Sequence, residues 1–170
     1  MNFKVFGVFL IITGCGGIGC AMSKQYRNRI RFIKNLISVI EYMVCELRYR
    51  VTVLPQLCRQ AGQLHGGTLQ KIMLSLSDLL DKQCSSDAYG CMQIVLEELV
   101  PVDSWYQNIL LDFSRNLGRF DIDGQLTGLE NTRENLTLIL DSLLINSDVR
   151  LRSYQTLGLC AGAAIAILLV

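Results

Sequence analysis

The sequence contains few of the residues on which catalysis and metal binding usually depend. Of its 170 residues one is a histidine, His65, which stands beside Gly66 and Gly67 in a predicted loop. The seven cysteines include no CxxC pair, and no cysteine and histidine pair has zinc-ligand spacing. The GxxxxGK[ST], HExxH and GxSxG motifs are all absent. The sequence therefore favours a protein that is not an enzyme and that takes no cofactor, metal or small-molecule substrate.

The chain also lacks a large excess of either charge. Its 16 lysines and arginines nearly balance its 15 aspartates and glutamates. A nucleic-acid-binding domain usually carries a strongly basic face, so no nucleic-acid partner is expected.

One acidic stretch approaches a calcium-binding pattern. Asp121, Asp123, Gly124 and Glu130 fall at positions 3, 5, 6 and 12 of such a loop. Position 1 would be Arg119, a cation where an anionic ligand is needed. Acidic residues near the positive end of a helix explain the same residues better.

Both ends of the chain are uncharged and apolar. Residues 5–22 approach the ~20 residues that cross a bilayer, whereas residues 156–170 are short for a full span. We predict an N-terminal transmembrane anchor at 1–22, a helical domain at 23–155, and a C-terminal transmembrane or membrane-embedded segment at 156–170. A buried terminal helix is the alternative for the last segment.

Basic residues flank these apolar ends on their inner sides. The cluster after the first segment consists of Lys24, Arg27, Arg29, Arg31 and Lys34. Arg150 and Arg152 precede the second segment. Because basic flanks stay in the cytoplasm, the 23–155 domain is predicted to be cytoplasmic and both termini to lie outside. Reduced cysteines agree with that compartment.

A competing interpretation concerns the N-terminus. Ile12, Thr13, Gly14 and Cys15 resemble a bacterial lipoprotein signal that ends in a modifiable cysteine. Cleavage there would export the domain. The apolar run continues to Met22 and a basic cluster follows, and both features oppose export.

Small residues recur at every fourth position in both apolar ends. They include Gly16 and Gly17, each paired with a small residue four positions on, and Gly158, Gly162 and Ala166. Small residues allow helix backbones to approach closely within a bilayer. We predict that these positions pack membrane helices together.

Helical periodicity dominates residues 23–155. Predicted helices cover about 24–53, 55–64, 68–82, 87–99, 103–117 and 121–155, and no strand pattern occurs. The first has an apolar seam of Ile30, Ile33, Ile37, Ile40, Val44, Leu47 and Val51. The predicted fold is therefore all-α, a compact bundle of about six helices flanked by N- and C-terminal transmembrane helices.

Several residues indicate where these helices begin and end. Pro55 ends the first helix or starts the second, and Pro101 marks another break. Asp103 is predicted to cap the fifth helix with its carboxylate. Gly118 suits the left-handed position that follows that helix.

Two polar turns are candidates for contact with another protein. One, between the last two helices, contains Arg119, Asp121 and Gln125. The other follows the first helix and contains Glu46, Arg48 and Tyr49, with Arg50, Leu54 and Pro55 beside them. Each could also be an ordinary capped or solvated turn.

These turns carry a family resemblance that extends along nearly the whole chain. The matching residues include Tyr26-Arg27, Leu36-Ile37, Ile40-Glu41, Glu46 through Tyr49 to Leu54-Pro55, Leu117-Gly118-Arg119 with Asp121 and Gln125, and Tyr154 with Leu157-Gly158. In their order and spacing they resemble the stage III sporulation protein AB family. Phe120 and the Val53-Leu54-Pro55 order depart from the family pattern.

The resemblance implies a role that composition and periodicity do not show. It places the protein in the mother-cell membrane around the forespore, as a subunit of a secretion-like channel complex. Its bundle would be similar to the cytoplasmic domains of platform proteins in type II secretion and type IV pilus machines. The implied partners are the stage III sporulation ATPase AA and other membrane subunits of the complex. Without that resemblance, an exported lipoprotein or a generic membrane-anchored scaffold remains as an alternative.

Overall fold

A computed structural model describes the backbone of residues 2–50, 52–85, 87–100, 102–118 and 121–169. Side chains are described from residue 24 to residue 145, except at 51, 86, 99, 101, 119 and 120. The predicted anchors at 1–22 and 156–170 lie outside the described side chains. So do the predicted packing positions Gly16, Gly17, Gly158, Gly162 and Ala166 and the lipoprotein cysteine Cys15.

Throughout the described backbone the chain forms helices and turns, without a strand. The helices are α1 (Asn2–Arg50), α2 (Leu54–Gln63), α3 (Thr68–Asp81), α4 (Ala88–Ile94), α5 (Ser104–Arg115) and α6 (Ile122–Leu169), and a π-helical turn (Val95–Leu99) extends α4. The prediction of an all-α protein with about six helices is confirmed. Within the part of the chain that the structure describes, no helix is both long and apolar enough to cross a membrane.

The chain divides into two compact units. The unit Phe32–Leu138 holds the helical bundle, and the other consists of Met1–Arg31 together with Ile139–Val170. Helices α1 and α6 contribute to both units. In the second unit the Tyr26 hydroxyl donates a hydrogen bond of 2.8 Å to the Leu143 carbonyl, which joins α1 to α6.

The buried face of α1 in the bundle differs in part from the predicted seam. It consists of Ile33, Leu36, Val39, Ile40, Met43 and Leu47. Leu36 and Met43 take the positions predicted for Ile37 and Val44, which are only half-buried. The prediction was wrong at those two positions because a helix packed among several others buries a broad face, and side chains beside a seam then compete to fill it.

Helices α2 and α3 pack as a close antiparallel pair. Leu57, Cys58 and Ala61 of α2 are fully buried, as are Ile72, Met73 and Leu76 of α3. A Cβ atom added to Gly62 would lie 2.8 Å from Met73 Cβ, so the absence of a side chain permits this separation.

The helix ends confirm some local predictions and correct one. Pro55 lies in the first turn of α2, where a missing N–H costs little. Gly118 has φ +71, as predicted. Asp103 precedes α5, but its carboxylate makes no capping hydrogen bond, and its backbone carbonyl accepts from Tyr106 and Gln107 instead. The predicted side-chain cap at Asp103 was therefore wrong.

Candidate functional site

Three helix-to-helix connections meet at one end of the bundle unit. They surround an open groove of about 580 Å³, called here the connector groove, which is lined by Leu54, Pro55, Leu80, Gln83, Cys84, Ser85, Asp87, Ala88 and Gly118. These residues come from the start of α2, the α3–α4 connector with the helix ends on either side of it, and the turn after α5. This end of the bundle, called the connector end, therefore combines segments that are far apart in sequence.

Contact between Gly118 and Leu54 brings the two predicted turns together. A Cβ atom on Gly118 would lie 3.0 Å from Leu54 Cδ2. The positive φ of Gly118 directs the chain from α5 towards α6, a conformation that glycine adopts at little cost. Since Leu54 begins α2, the turn after α1 and the turn after α5 are neighbours.

An ion pair connects α1 to α6. Arg48 Nη2 lies 2.7 Å from Glu130 Oε1, and both side chains are about half exposed. A weaker pair joins Arg133 to Glu41 at 4.0 Å. Exposed pairs such as Arg48–Glu130 contribute about 0–1 kcal/mol to stability. Arg48 is therefore held at a defined place on the surface without being essential to the fold.

Glu46 orders the chain that leaves α1. Its carboxylate accepts a 3.2 Å hydrogen bond from the Thr52 hydroxyl and lies 3.5 Å from Arg50 Nη1. Its side chain is only 12% exposed, so these local contacts occupy most of it. Partial burial and then the nearby Glu46 carboxylate raise the pKa of Tyr42, because both disfavour the phenolate.

The start of α6 is organised by Asp121. Its Oδ1 accepts from the Gly124 N–H at 3.0 Å, and its carbonyl accepts from the Gln125 N–H at 2.9 Å. Asp121 is exposed, whereas Gln125 exposes 8% of its surface. Of the predicted contact residues in this turn, Asp121 is thus accessible, Gln125 lies within the packing, and Arg119 falls outside the described residues.

Exposed apolar side chains accompany these charges. Tyr49 is 78% exposed, Val53 65% and Ile122 42%. Tyr49 is in the last turn of α1, Val53 lies between α1 and α2, and Ile122 begins α6. Among the described residues no group of three metal-ligating side chains occurs. A mixed surface of charges, exposed apolar side chains and a groove is typical of a protein-binding site.

Sequence reasoning identified the two turns but missed what joins them. In the sequence Glu130 stands out only as part of the calcium-like pattern, and nothing there marks the α3–α4 connector as part of a site. The pairing of Arg48 with Glu130 spans 82 positions, so no local pattern could reveal it. Asp87, whose Oδ1 caps α4 by accepting from the Gly90 N–H at 2.9 Å, could have been found from its place before a helical run.

A family model and a solved structure both match this chain. The sequence profile described as stage III sporulation protein AB matches residues 4–170. A solved structure of stage III sporulation protein AB (SpoIIIAB) is similar, with a TM-score of 0.60 and 19% sequence identity. That match covers 71% of this chain and 97% of the other. A search of curated proteins found no match. At 19% identity the structural likeness establishes the fold alone.

Proposed function

The chain belongs to the stage III sporulation protein AB family, and from this premise we propose that it is a non-enzymatic platform or adaptor subunit of a sporulation complex. The anchors at 1–22 and 156–170 would hold it in the mother-cell membrane around the forespore. The helical domain would then face the cytoplasm and couple an ATPase to the membrane assembly. The proposed partners are the stage III sporulation ATPase AA and other membrane subunits of a secretion-like channel complex.

One observation supports this proposal most strongly. The two turns that were predicted separately as contact surfaces are neighbours at the connector end, through Gly118 against Leu54 and Arg48 against Glu130. A single partner can therefore touch both turns at once. Coupling a motor to a membrane assembly requires such a continuous surface on a rigid support, and the bundle core supplies that support.

The proposed contact also accounts for apolar side chains that are exposed to water. Tyr49, Val53 and Ile122 expose apolar area at one end of the unit, and exposed apolar groups gain free energy when a partner covers them. Arg48 and Asp121 stand in the same turns with opposite charges, so they can select a partner by electrostatic complementarity. This combination favours protein binding over a purely passive scaffold.

A matched pair of aspartate variants tests the contact surface. Asp121→Asn removes one negative charge but keeps a side chain that caps a helix well. Asp103→Asn is the control. It removes the same charge just before α5, whereas Gly118 and the tested turn follow the opposite end of α5. We expect Asp121→Asn, and more strongly the charge reversals Arg119→Glu with Asp121→Lys, to reduce co-purification with the ATPase and spore yield. Asp103→Asn should leave both unchanged.

Equal ATPase binding by the Asp121 and Asp103 variants, and by the Arg119/Asp121 reversal, would show that the contact lies elsewhere. Folding of each variant must be verified by circular dichroism, so that loss of binding is not confused with loss of the bundle.

The proposed location can be tested with the exposed thiols. Cys45 and Cys84 are exposed, whereas Cys58 and Cys91 are buried and would resist labelling in any compartment. A membrane-impermeant maleimide should label Cys45 and Cys84 only after the cells are opened. Labelling in intact cells would place the domain outside, contradict the platform proposal and favour an exported lipoprotein.

A further inference from the structure

The connector between α3 and α4 is short and tightly folded, with Cys84 inside it and Cys91 in the first turn of α4. Gln83 has φ +51, and the Cys84 N–H donates to the Leu79 carbonyl at 3.2 Å, so the chain reverses at the end of α3. Asp87 then caps α4, and the Cys91 N–H donates to the Asp87 carbonyl at 3.2 Å. The connector therefore folds back over the first turn of α4.

A direct contact between the connector and α4 brings the two cysteine-bearing segments together. The Ser85 hydroxyl lies against Gly90, where a Cβ atom would overlap it. Cys84 precedes Ser85 and Cys91 follows Gly90. Since neighbouring Cα atoms are about 3.8 Å apart, each cysteine is one residue from a touching pair.

The two thiols have different access to solvent. Cys84 is exposed and lines the connector groove, whereas Cys91 is fully buried. Burial raises the pKa of the Cys91 thiol, and the charges of the neighbouring Cys84 and Asp87 act in the same direction. The Ser85 backbone amide acts in the opposite direction, which agrees with a Cys91 sulfur that lies beneath the connector.

We propose that Cys84 and Cys91 form a dithiol site that reacts with low-molecular-weight disulfides and closes to an intramolecular disulfide. This site lies at the connector end, which is also the proposed ATPase contact, but its reaction does not depend on ATPase binding. It would be a modification site in the wall of the connector groove, with Cys84 as the attacking thiol and Cys91 as the resolving thiol.

The chemistry is a double thiol–disulfide exchange. The exposed Cys84 thiolate attacks one sulfur of the small disulfide, forms a mixed disulfide and releases one small thiolate. The Cys91 thiol then attacks Cys84 Sγ, and its proton passes to the second small thiol as that group is released. The protein loses two electrons and two protons, and the small disulfide is reduced to two thiols. Closure draws Cys84 Sγ towards α4 and so alters the groove wall.

The test uses the full-length reduced protein and dithiobis(nitrobenzoate) as the small disulfide. Trypsin cleaves after Lys82 and after Arg115, so one peptide, 83–115, contains both cysteines. Cys45 and Cys58 fall in separate peptides, 35–48 and 51–59. Mass spectrometry of the digest therefore reports each site independently.

We expect peptide 83–115 to become lighter by two hydrogens, with no retained aromatic adduct and no free thiol. Cys45, which is exposed, should retain the adduct and release one thiolate for each modified residue. Cys58 should stay a free thiol, which shows that the fold remained intact during the reaction. In Cys91→Ala the adduct should persist on Cys84.

The proposal is overturned if the wild-type protein retains the adduct on Cys84 while Cys91 remains a free thiol. It is also overturned if closure occurs only together with modification of Cys58, because the reaction would then require loss of the bundle. Both readouts come from the wild-type protein, so a Cys91→Ala variant that fails to fold does not affect the test.

Discussion

Replacing Gly118 with alanine should destabilise the bundle, because this residue meets two separate constraints. Its φ of +71 lies in the left-handed region, where a Cβ atom is crowded by the backbone. The new Cβ would also lie 3.0 Å from Leu54 Cδ2. The substitution therefore perturbs the contact that holds the two predicted turns together.

The expected loss in the free energy of unfolding combines two destabilising contributions and one stabilising contribution. Left-handed backbone costs an L-residue about 1–2 kcal/mol. The Leu54 contact involves the far end of a flexible side chain, so a rotamer adjustment of about 0.5–1.5 kcal/mol relieves it. The smaller conformational freedom of alanine in the unfolded chain returns about 0.4–1 kcal/mol. We expect a net loss of about 1–2 kcal/mol.

Urea unfolding followed by tryptophan fluorescence measures this loss. Trp105 is the single tryptophan of the chain and packs edge-to-face with Tyr106 in the bundle, at 4.9 Å between ring centroids. Gly66→Ala is the matched control, because Gly66 is not in the left-handed region and nothing lies within 4 Å of its added Cβ. That control should be neutral or slightly stabilising.

A double-mutant cycle with Leu54→Ala separates the two costs. Shortening Leu54 removes the contacting methyl group, so Gly118→Ala should then cost less by about 0.5–1 kcal/mol, and the remainder is the backbone term. If Gly118→Ala is as harmless as Gly66→Ala, the turn does not require a left-handed residue and the reasoning is wrong.

Three further outcomes are expected. Gly62→Ala should lower the free energy of unfolding by about 1–3 kcal/mol, despite the higher helix propensity of alanine, because the new Cβ would lie 2.8 Å from Met73 Cβ. A variant that is more stable than the wild type in urea unfolding would contradict this. A double-mutant cycle of Arg48→Ala and Glu130→Ala should give a coupling below about 1 kcal/mol that weakens with salt, and a larger, salt-independent value would refute an exposed pair. Burial raises the pKa of Cys58 from 9.0 to about 12, so its contribution to stability is complete below pH 9 and is lost as the pH rises towards 12. The free energy of unfolding from urea titrations above pH 9 should therefore fall by up to ~1.4 kcal/mol per pH unit more in the wild type than in Cys58→Ala, and parallel curves would count against that burial.

Periodicity predicted the helices well because each long helix carries its own repeating apolar residues. On α3 the helical spacing predicts one inward face of Leu69, Ile72, Met73, Leu76, Leu79 and Leu80. The first four are buried, and Leu79 and Leu80 are half-buried. The sequence also predicted the left-handed backbone of Gly118, since few residues other than glycine adopt that conformation. These features are local, so a single stretch of sequence contains them.

Other features depend on residues that are distant in sequence. The choice of Leu36 over Ile37 on the buried face of α1 is set by the packing partners of that helix. The π-helical turn Val95–Leu99 has no sequence pattern that separates it from an ordinary α-helical turn. The proximity of the two predicted surfaces likewise required the folded chain, because Arg48 and Glu130 meet only in tertiary structure.

Site-specific photo-crosslinking tests the proposed docking surface most directly. A benzophenone amino acid would replace Tyr49, which is 78% exposed at the connector end, or Leu64, which is 52% exposed just beyond the other end of α2. About 15 Å of helix separates the two ends of α2, so the two probes sample different surfaces. In cells that assemble the complex, we expect the probe at residue 49 to crosslink to the sporulation ATPase and the probe at residue 64 not to do so. An ATPase crosslink from residue 64 alone, or from neither position, would contradict the proposal that the connector end receives the ATPase.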